Sequence, residues 1–329
     1  MKEFLPITAT FIGEIQADYE IPDQNWNEAM WDADFAAMKR CGIDTAVIIR
    51  CGVKEQLLYP SEWLMKEAGC RRPRYDKMKM FFKLAEKHDI KLWIGSYFSG
   101  NDWMAELYDV NREIEHMKRS FVEIWEKYAQ NSPVFGGWYL SQETTSPVAR
   151  NVYRCYKEVG KFCHDLSGHQ TLVSPSPSGP HVCSLRHIPR DVARKVVPSP
   201  EERKELFGNI LADLRGSVDI VAFQNAPHDH YALPEYMAAD RQIIVDNGMI
   251  PWTNLETFEL EVALRTFPPI SFERLLNKME WAKEAKFEKA ITYEFSHFMS
   301  PNAVNRAANW LYENYMDYLA GKPPYPEAE

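Results

Sequence analysis

The segment FGGWYLSQE, residues 135–143, is a short apolar run that closes on a glutamate. Such nearly unbroken runs read as strands buried on both faces rather than strands with one face in water. The same pattern recurs as PITATFI (6–12), TAVIIR (45–50), KLWIGSYF (91–98), QTLVSP (170–175), DIVAFQ (219–224), IPWTNLE (250–256) and KAITYEF (289–295). Helical patterns lie between them. Trp26 to Arg40 carries apolar residues at Trp26, Met30, Phe35 and Met38, and stops at Cys41-Gly42, where glycine suits a helix end. Tyr75–His88 and Trp103–Gln130 follow, then segments at about 201–215, 232–247, 271–286 and 301–320. Ser146-Pro147 and Ser300-Pro301 read as helix openings, because a first turn tolerates proline.

Strands that alternate with helices predict parallel βαβ units. Eight such units in 329 residues predict the α/β class and a closed (β/α)8 TIM barrel, one domain over residues 1–329. No Gly-rich phosphate loop follows a strand, which counts against a nucleotide-binding open sheet. The long connections at about 51–73 and 176–200 follow the second and fifth strands, where loops build a substrate pocket or a lid. The proline-rich tail, about 321–329, is expected to fray.

A hydrophobic fraction of 45% supplies a sizeable core, and the net charge of -9 argues against a nucleic-acid or anionic-membrane partner. The densest basic cluster is RRPR at 71–74, which reads as a helix entrance. Six cysteines without a CxxC pair point to neither a zinc site nor a disulfide scaffold, so reduced thiols and a cytoplasmic location are expected. The start MKEFLPITATFIG lacks a charged-then-apolar signal pattern, although a chain trimmed of its signal peptide would read the same. Oligomeric state is left open: Trp310, Tyr312, Tyr315 and Tyr318 on the last helix fit either a partner surface or the barrel itself.

Glu143 follows the fourth strand and Glu256 the seventh, on the rim where barrel active sites are built. These ends lie roughly across the mouth from one another. Two carboxyl groups about 5–5.5 Å apart cleave glycosidic bonds with retention. The expectation is therefore a carbohydrate substrate, Glu143 as general acid/base, Glu256 as nucleophile, and neither metal nor cofactor. Glu294 in ITYEFSHF is the rival: a third site carboxylate, the nucleophile itself, or an ion-pair partner for an arginine such as Arg50. Arg50, Tyr97, Gln224, Asn225, Asn254 and His297 are expected to contact substrate, because they are polar residues at or near strand ends. Trp138, Tyr139 and Trp252 are candidate stacking platforms, although alternation lets only one of Trp138 and Tyr139 share a given face. The aromatic fraction of 13% fits a sugar site, and core filling accounts for most of it equally well.

Two other readings stay open. His228-Asp229-His230, with His297 or Glu294, has metal-ligand density and would fit a sugar isomerase, epimerase or lyase; a plain polar loop is the simpler account. A barrel that binds carbohydrate without cleaving it is the other. His181 and His187 read as lid or surface residues. Cys51 beside Arg50 has the arginine that activates a thiolate but no evident base, and no G-x-S-x-G elbow is present.

The segments TATFIG, WDADFAAMKRCGIDTAVI, GGWYLSQE and WTNLETFE together resemble an uncharacterised group of TIM-barrel domains. That group is abundant in gut Bacteroidetes and commonly described as glycoside-hydrolase-like. The likeness runs from about residue 5 to residue 320, and GWYL-x-x-E is its most specific piece. The placement of the glutamates is also similar to the clan of retaining barrel glycosidases. There an asparagine usually precedes the strand-four glutamate and contacts the substrate; here Gln142 stands in that place. The resemblance implies a sugar-active barrel and names no sugar.

Overall fold

The structure, a computed structural model, describes residues 3–15, 21, 23–100, 109–143, 150–177, 192, 197–225, 230–259 and 266–322. Parallel strands pair with their sequence neighbours until the ring closes: β1 Ile7–Ile12, β2 Thr45–Ile48, β3 Lys91–Gly95, β4 Phe135–Tyr139, β5 Thr171–Val173, β6 Ile220–Gln224, β7 Ile250–Asn254 and β8 Lys289–Thr292. The last joins the first through Ile7↔Ala290, Ala9↔Ile291 and Thr10↔Thr292. This is the (β/α)8 TIM barrel expected from the alternation of runs.

Alternation within each strand divides the core in two. Ala9, Phe11, Val47, Ile49, Trp93, Tyr139, Leu172, Ile220, Ala222, Trp252 and Ile291 fill the barrel interior. Their neighbours, among them Ile12, Ile48, Ile94, Trp138, Val173, Val221 and Ala290, face the helix layer. Both faces being buried is the reason the strands read as unbroken apolar runs. Gly136 and Gly137 make room inside this arrangement: a Cβ on Gly137 would lie 2.7 Å from the Trp93 ring and 2.5 Å from the Gln170 carbonyl.

The helix layer comprises α1 Glu28–Arg40, α2 Glu62–Glu67, α3 Lys77–His88, α4 Val110–Ile124, α5 Arg150–Ser167, α6 Pro200–Asp213, α7 Leu233–Asp246, α8 Phe272–Glu284, α9 Phe295–Phe298 and α10 Arg306–Leu319. The Asn27 side chain caps α1, accepting from the Met30 amide at 3.0 Å, and Gly42 at φ +82 follows its last residues. Ser199 and Glu202 form a reciprocal capping box on α6. The helix expected from 301 begins instead at Arg306, capped by Asn305. Ser300 is unavailable as its cap because its hydroxyl donates to the buried Asp34 and accepts from the Asn302 amide at 2.9 Å.

The 51–73 connection is built rather than loose. Gly52–Val53 pairs with Gln56–Leu57 and with Tyr97–Phe98 beyond β3, and α2 follows. Ser146-Pro147, most of the 176–200 connection with His181 and His187, and nearly all of the tail lie outside the described residues. Among the described residues no helix is long and apolar enough to cross a membrane.

On α5, Gly160 sits directly against the chain entering β6, and a Cβ there would collide with the Ser217 carbonyl. Backbone cannot swing aside as a flexible side chain does. Gly160→Ala is therefore expected to destabilise the fold by about 1–3 kcal/mol, read as a lower urea midpoint; an unchanged midpoint would contradict this seating of the helix.

Candidate active site

Ile250, Trp252 and Asn254 set the inward phase of β7, and two residues on, the same phase carries Glu256 to the mouth. Glu256 is 1% exposed, and each carboxylate oxygen lies 3.1 Å from the amide nitrogen of Asn225, at the end of β6. Lys278 on α8 donates to the Glu256 carbonyl at 3.1 Å. Burial holds the Lys278 ammonium below its usual range, and the charge of Glu256 beside it opposes that shift.

On β4, Tyr139 sets the inward phase, and Glu143 follows it at the mouth. Its side chain keeps 26% of its surface exposed and pairs with Arg50 Nη2 at 3.4 Å. The Arg50 guanidinium is buried and stands 5.5 Å over the Phe98 ring, so its position is set by packing as well as charge. Tyr139 forms the floor below. Burial first, and then the charge of Glu143, push its phenol upward, while Arg50 and a hydrogen bond with Ser174 oppose the shift.

Glu294 lies two residues beyond β8 and is fully buried. One carboxylate oxygen accepts from the Gly13 amide at 2.5 Å and the other is hydrogen-bonded to His297 Nδ1. The Tyr293-Glu294 peptide bond is cis. The segment that follows is pinned from the helix layer: Asp34 on α1 accepts from Ser296 Oγ at 2.8 Å, from Asn302 Nδ2 at 3.2 Å and from Ser300 Oγ. Sequence reading missed Asp34, although a signal was present. It interrupts the apolar stripe Trp31, Phe35, Met38, where a charge has no place without buried donors.

The expected contacts divide. Arg50 meets Glu143, not Glu294. Gln224 donates to the Ser174 carbonyl at 2.9 Å, and Asn254 bridges Ser174 Oγ at 3.4 Å and the Tyr293 amide at 3.2 Å, so both brace the rim. Asn225 fixes Glu256 through its backbone, while its buried side-chain amide has no hydrogen-bond partner among the described residues. Tyr97, two residues beyond β3, is buried, and its hydroxyl donates to the Lys54 carbonyl at 2.7 Å within the small sheet. Trp138 faces outward, bonded to Ser167 at 2.9 Å and packed 4.4 Å from Phe121. Trp252 is inward but low. It pairs with Lys289, the first residue of β8, whose ammonium lies 5.3 Å over its ring. Neither tryptophan is a platform at the rim.

Gln142, which stands where the glycosidase clan has asparagine, is buried. Its amide turns to α4, donating to Glu113 at 3.4 Å and to Met117 Sδ at 3.1 Å, away from the mouth. His228 and Asp229 lie outside the described residues. His230 is turned toward α8, 4.8 Å from the Trp281 ring, and burial followed by the charges of Arg274 and Lys278 brings its pKa down to about 4. Cys51 is no activated thiolate, since burial pushes its thiol up to about 12.

An eight-stranded parallel barrel with glutamates beyond β4, β7 and β8 places the chain in the TIM-barrel class. The chain belongs to the family described as "Domain of unknown function (DUF4434)", matched over residues 7–305. It is similar to a solved structure from Bacteroides thetaiotaomicron described as a candidate alpha-L-fucosidase, at 37% identity and a TM-score of 0.87, covering 96% of this chain and 94% of that one. A psychrophilic glycoside hydrolase family 10 endo-beta-1,4-xylanase shares the fold at a TM-score of 0.51 and 10% identity, over 94% of this chain and 96% of its own. None of the curated proteins matches the chain.

The Asp34 carboxyl, raised from 3.8 to about 6 chiefly by burial and against its three hydrogen bonds, gives a pH test. A raised folded pKa means the native chain holds the proton more tightly. Its contribution is full below about 3.8 and is lost as pH rises through about 6, a change of about 3 kcal/mol. Between about pH 4 and about pH 7, wild type should lose that much stability relative to Asp34→Asn in urea unfolding; a pH-independent difference would contradict the buried carboxyl.

Proposed function

We propose that this protein is a retaining glycoside hydrolase in which Glu143 is the general acid/base and Glu256 the nucleophile. The observation that carries the reading is the pairing of roles at the mouth. Glu143, beyond β4 in its inward phase, keeps exposed surface, as a group that exchanges protons with substrate and water requires. Glu256, inward beyond β7, is buried and held by the Asn225 amide, as a group that must attack from a fixed position requires. The relative described as a candidate alpha-L-fucosidase, similar over nearly the whole of both chains, supports a glycosidase rather than another use of the barrel.

In this reading Glu143 protonates the leaving oxygen while Glu256 attacks the anomeric carbon, and a glycosyl ester forms as the leaving group departs. Water then cleaves the ester, with Glu143, now a carboxylate, taking its proton. Arg50 holds Glu143 toward the substrate. Glu294 is assigned a supporting role, because it is fully buried and its carboxylate is hydrogen-bonded to the His297 side chain as well as to the Gly13 amide.

Glu143→Gln tests the acid role. The variant should lose about 10²–10⁴-fold in kcat/KM on glycosides with poor leaving groups, the usual worth of a general acid. On activated aryl glycosides, whose leaving group departs unprotonated, cleavage of the bond to the sugar should suffer far less. Equal losses on both substrates would remove Glu143 from the acid role.

A further inference from the structure

The mouth of the barrel has two unlike halves. Arg50, Glu143 and Gln224, from the ends of β2, β4 and β6, make one side polar. On the other, Tyr293 continues the inward phase of β8 and Phe258 that of β7, two residues beyond Glu256. Both are half-buried. Their rings meet edge to face at 5.9 Å, and Tyr293 rests on the inner core 6.4 Å from Phe11. Phe267 and Phe298, each 5.3 Å from Phe258, back the wall. Among the described residues, Phe258, Phe267 and Phe298 belong to neither of the two apolar layers that hold the barrel together. A cluster of rings outside both layers, beside the proposed nucleophile, calls for an apolar ligand surface.

The Thr257, Asn254 and Glu294 side chains on this side are held by other protein groups. Thr257 Oγ1 donates to the Glu294 carbonyl at 3.2 Å, Asn254 joins Ser174 and the Tyr293 amide, and Glu294 binds Gly13 and His297. A hydroxyl placed against the Phe258 ring would lose its water and gain no hydrogen bond from that ring in return.

We propose that the site takes a 6-deoxyhexopyranoside, with its C6 methyl and C5 edge against Phe258 and Tyr293 and its ring hydroxyls toward Arg50, Glu143 and Gln224. This rests on the glycosidase reading above and adds to it the substrate class. A hexose with a C6 hydroxyl would place that hydroxyl on the aromatic wall. A hydrophobic pocket rejects an added hydroxyl by at most about 100-fold, which sets the size of the effect.

The test uses matched 4-nitrophenyl glycosides that differ only at C6: L-fucoside and L-galactoside, L-rhamnoside and L-mannoside, D-fucoside and D-galactoside, each pair in both anomers. For whichever pair is cleaved, the 6-deoxy member should be favoured in kcat/KM by about 10–100-fold. Phe258→Asn should bring the ratio close to unity, and Phe258→Tyr, which keeps the ring, should preserve it. A wild-type ratio near one overturns the proposal without any variant, as does a ratio that survives Phe258→Asn. If no pair is cleaved, the glycosidase reading fails, and calorimetry with the free sugars decides the wall by itself. Tighter binding of the 6-deoxy sugar then sustains the apolar subsite, and equal or no binding overturns it.

Discussion

Closure of the sheet between β1 and β8 is the constraint on which the site depends. Once Ala9 is opposite Ile291 and Thr10 opposite Thr292, the inward and outward phase of every strand is fixed around the ring. Glu256 reaches the mouth because Trp252 is inward, and Glu143 because Tyr139 is. A one-residue slip in either strand would send its glutamate into the helix layer. The site is thus a consequence of register, and register is a consequence of packing Phe11, Trp93, Tyr139 and Trp252 into one interior.

Above that interior the energetics are those of buried charge. Glu256 and Glu294 are essentially without solvent contact, and each is met by a backbone amide from the neighbouring strand end: Asn225 for one, Gly13 for the other. Amides of this kind hold a carboxylate without a mobile counter-charge. Where the support comes from further away, it does so through a chain of hydrogen bonds. Asp34 in the helix layer grips Ser296, Ser300 and Asn302, and through them the segment that carries Glu294 and His297. Such a group lowers stability when charged and fixes geometry in return.

The strands were legible because burial on both faces leaves a mark in composition, and eight such marks separated by helices admit few folds. Glu143, Glu256 and Arg50 were legible as polar residues at the ends of apolar runs. Trp138 and Trp252 were misplaced for a definite reason. Residue type signals stacking capacity, whereas facing and height decide use, and neither shows until the register is known. Tyr97 was lost to a short sheet whose strands of two residues carry too little pattern to read. Phe258 and Tyr293 were legible only as part of a high aromatic content, since their joint position depends on two strand ends meeting in space.

The central claim is that Glu256 forms a bond to the sugar, and trapping that bond tests it most directly. An activated 2-deoxy-2-fluoro glycoside of a sugar the enzyme accepts slows both steps, and a good leaving group lets the ester accumulate. Proteolysis and mass spectrometry of the inactivated protein should then place one glycosyl group on the peptide containing Glu256. A glycosyl group on Glu294, or turnover with no covalent intermediate, would contradict the account.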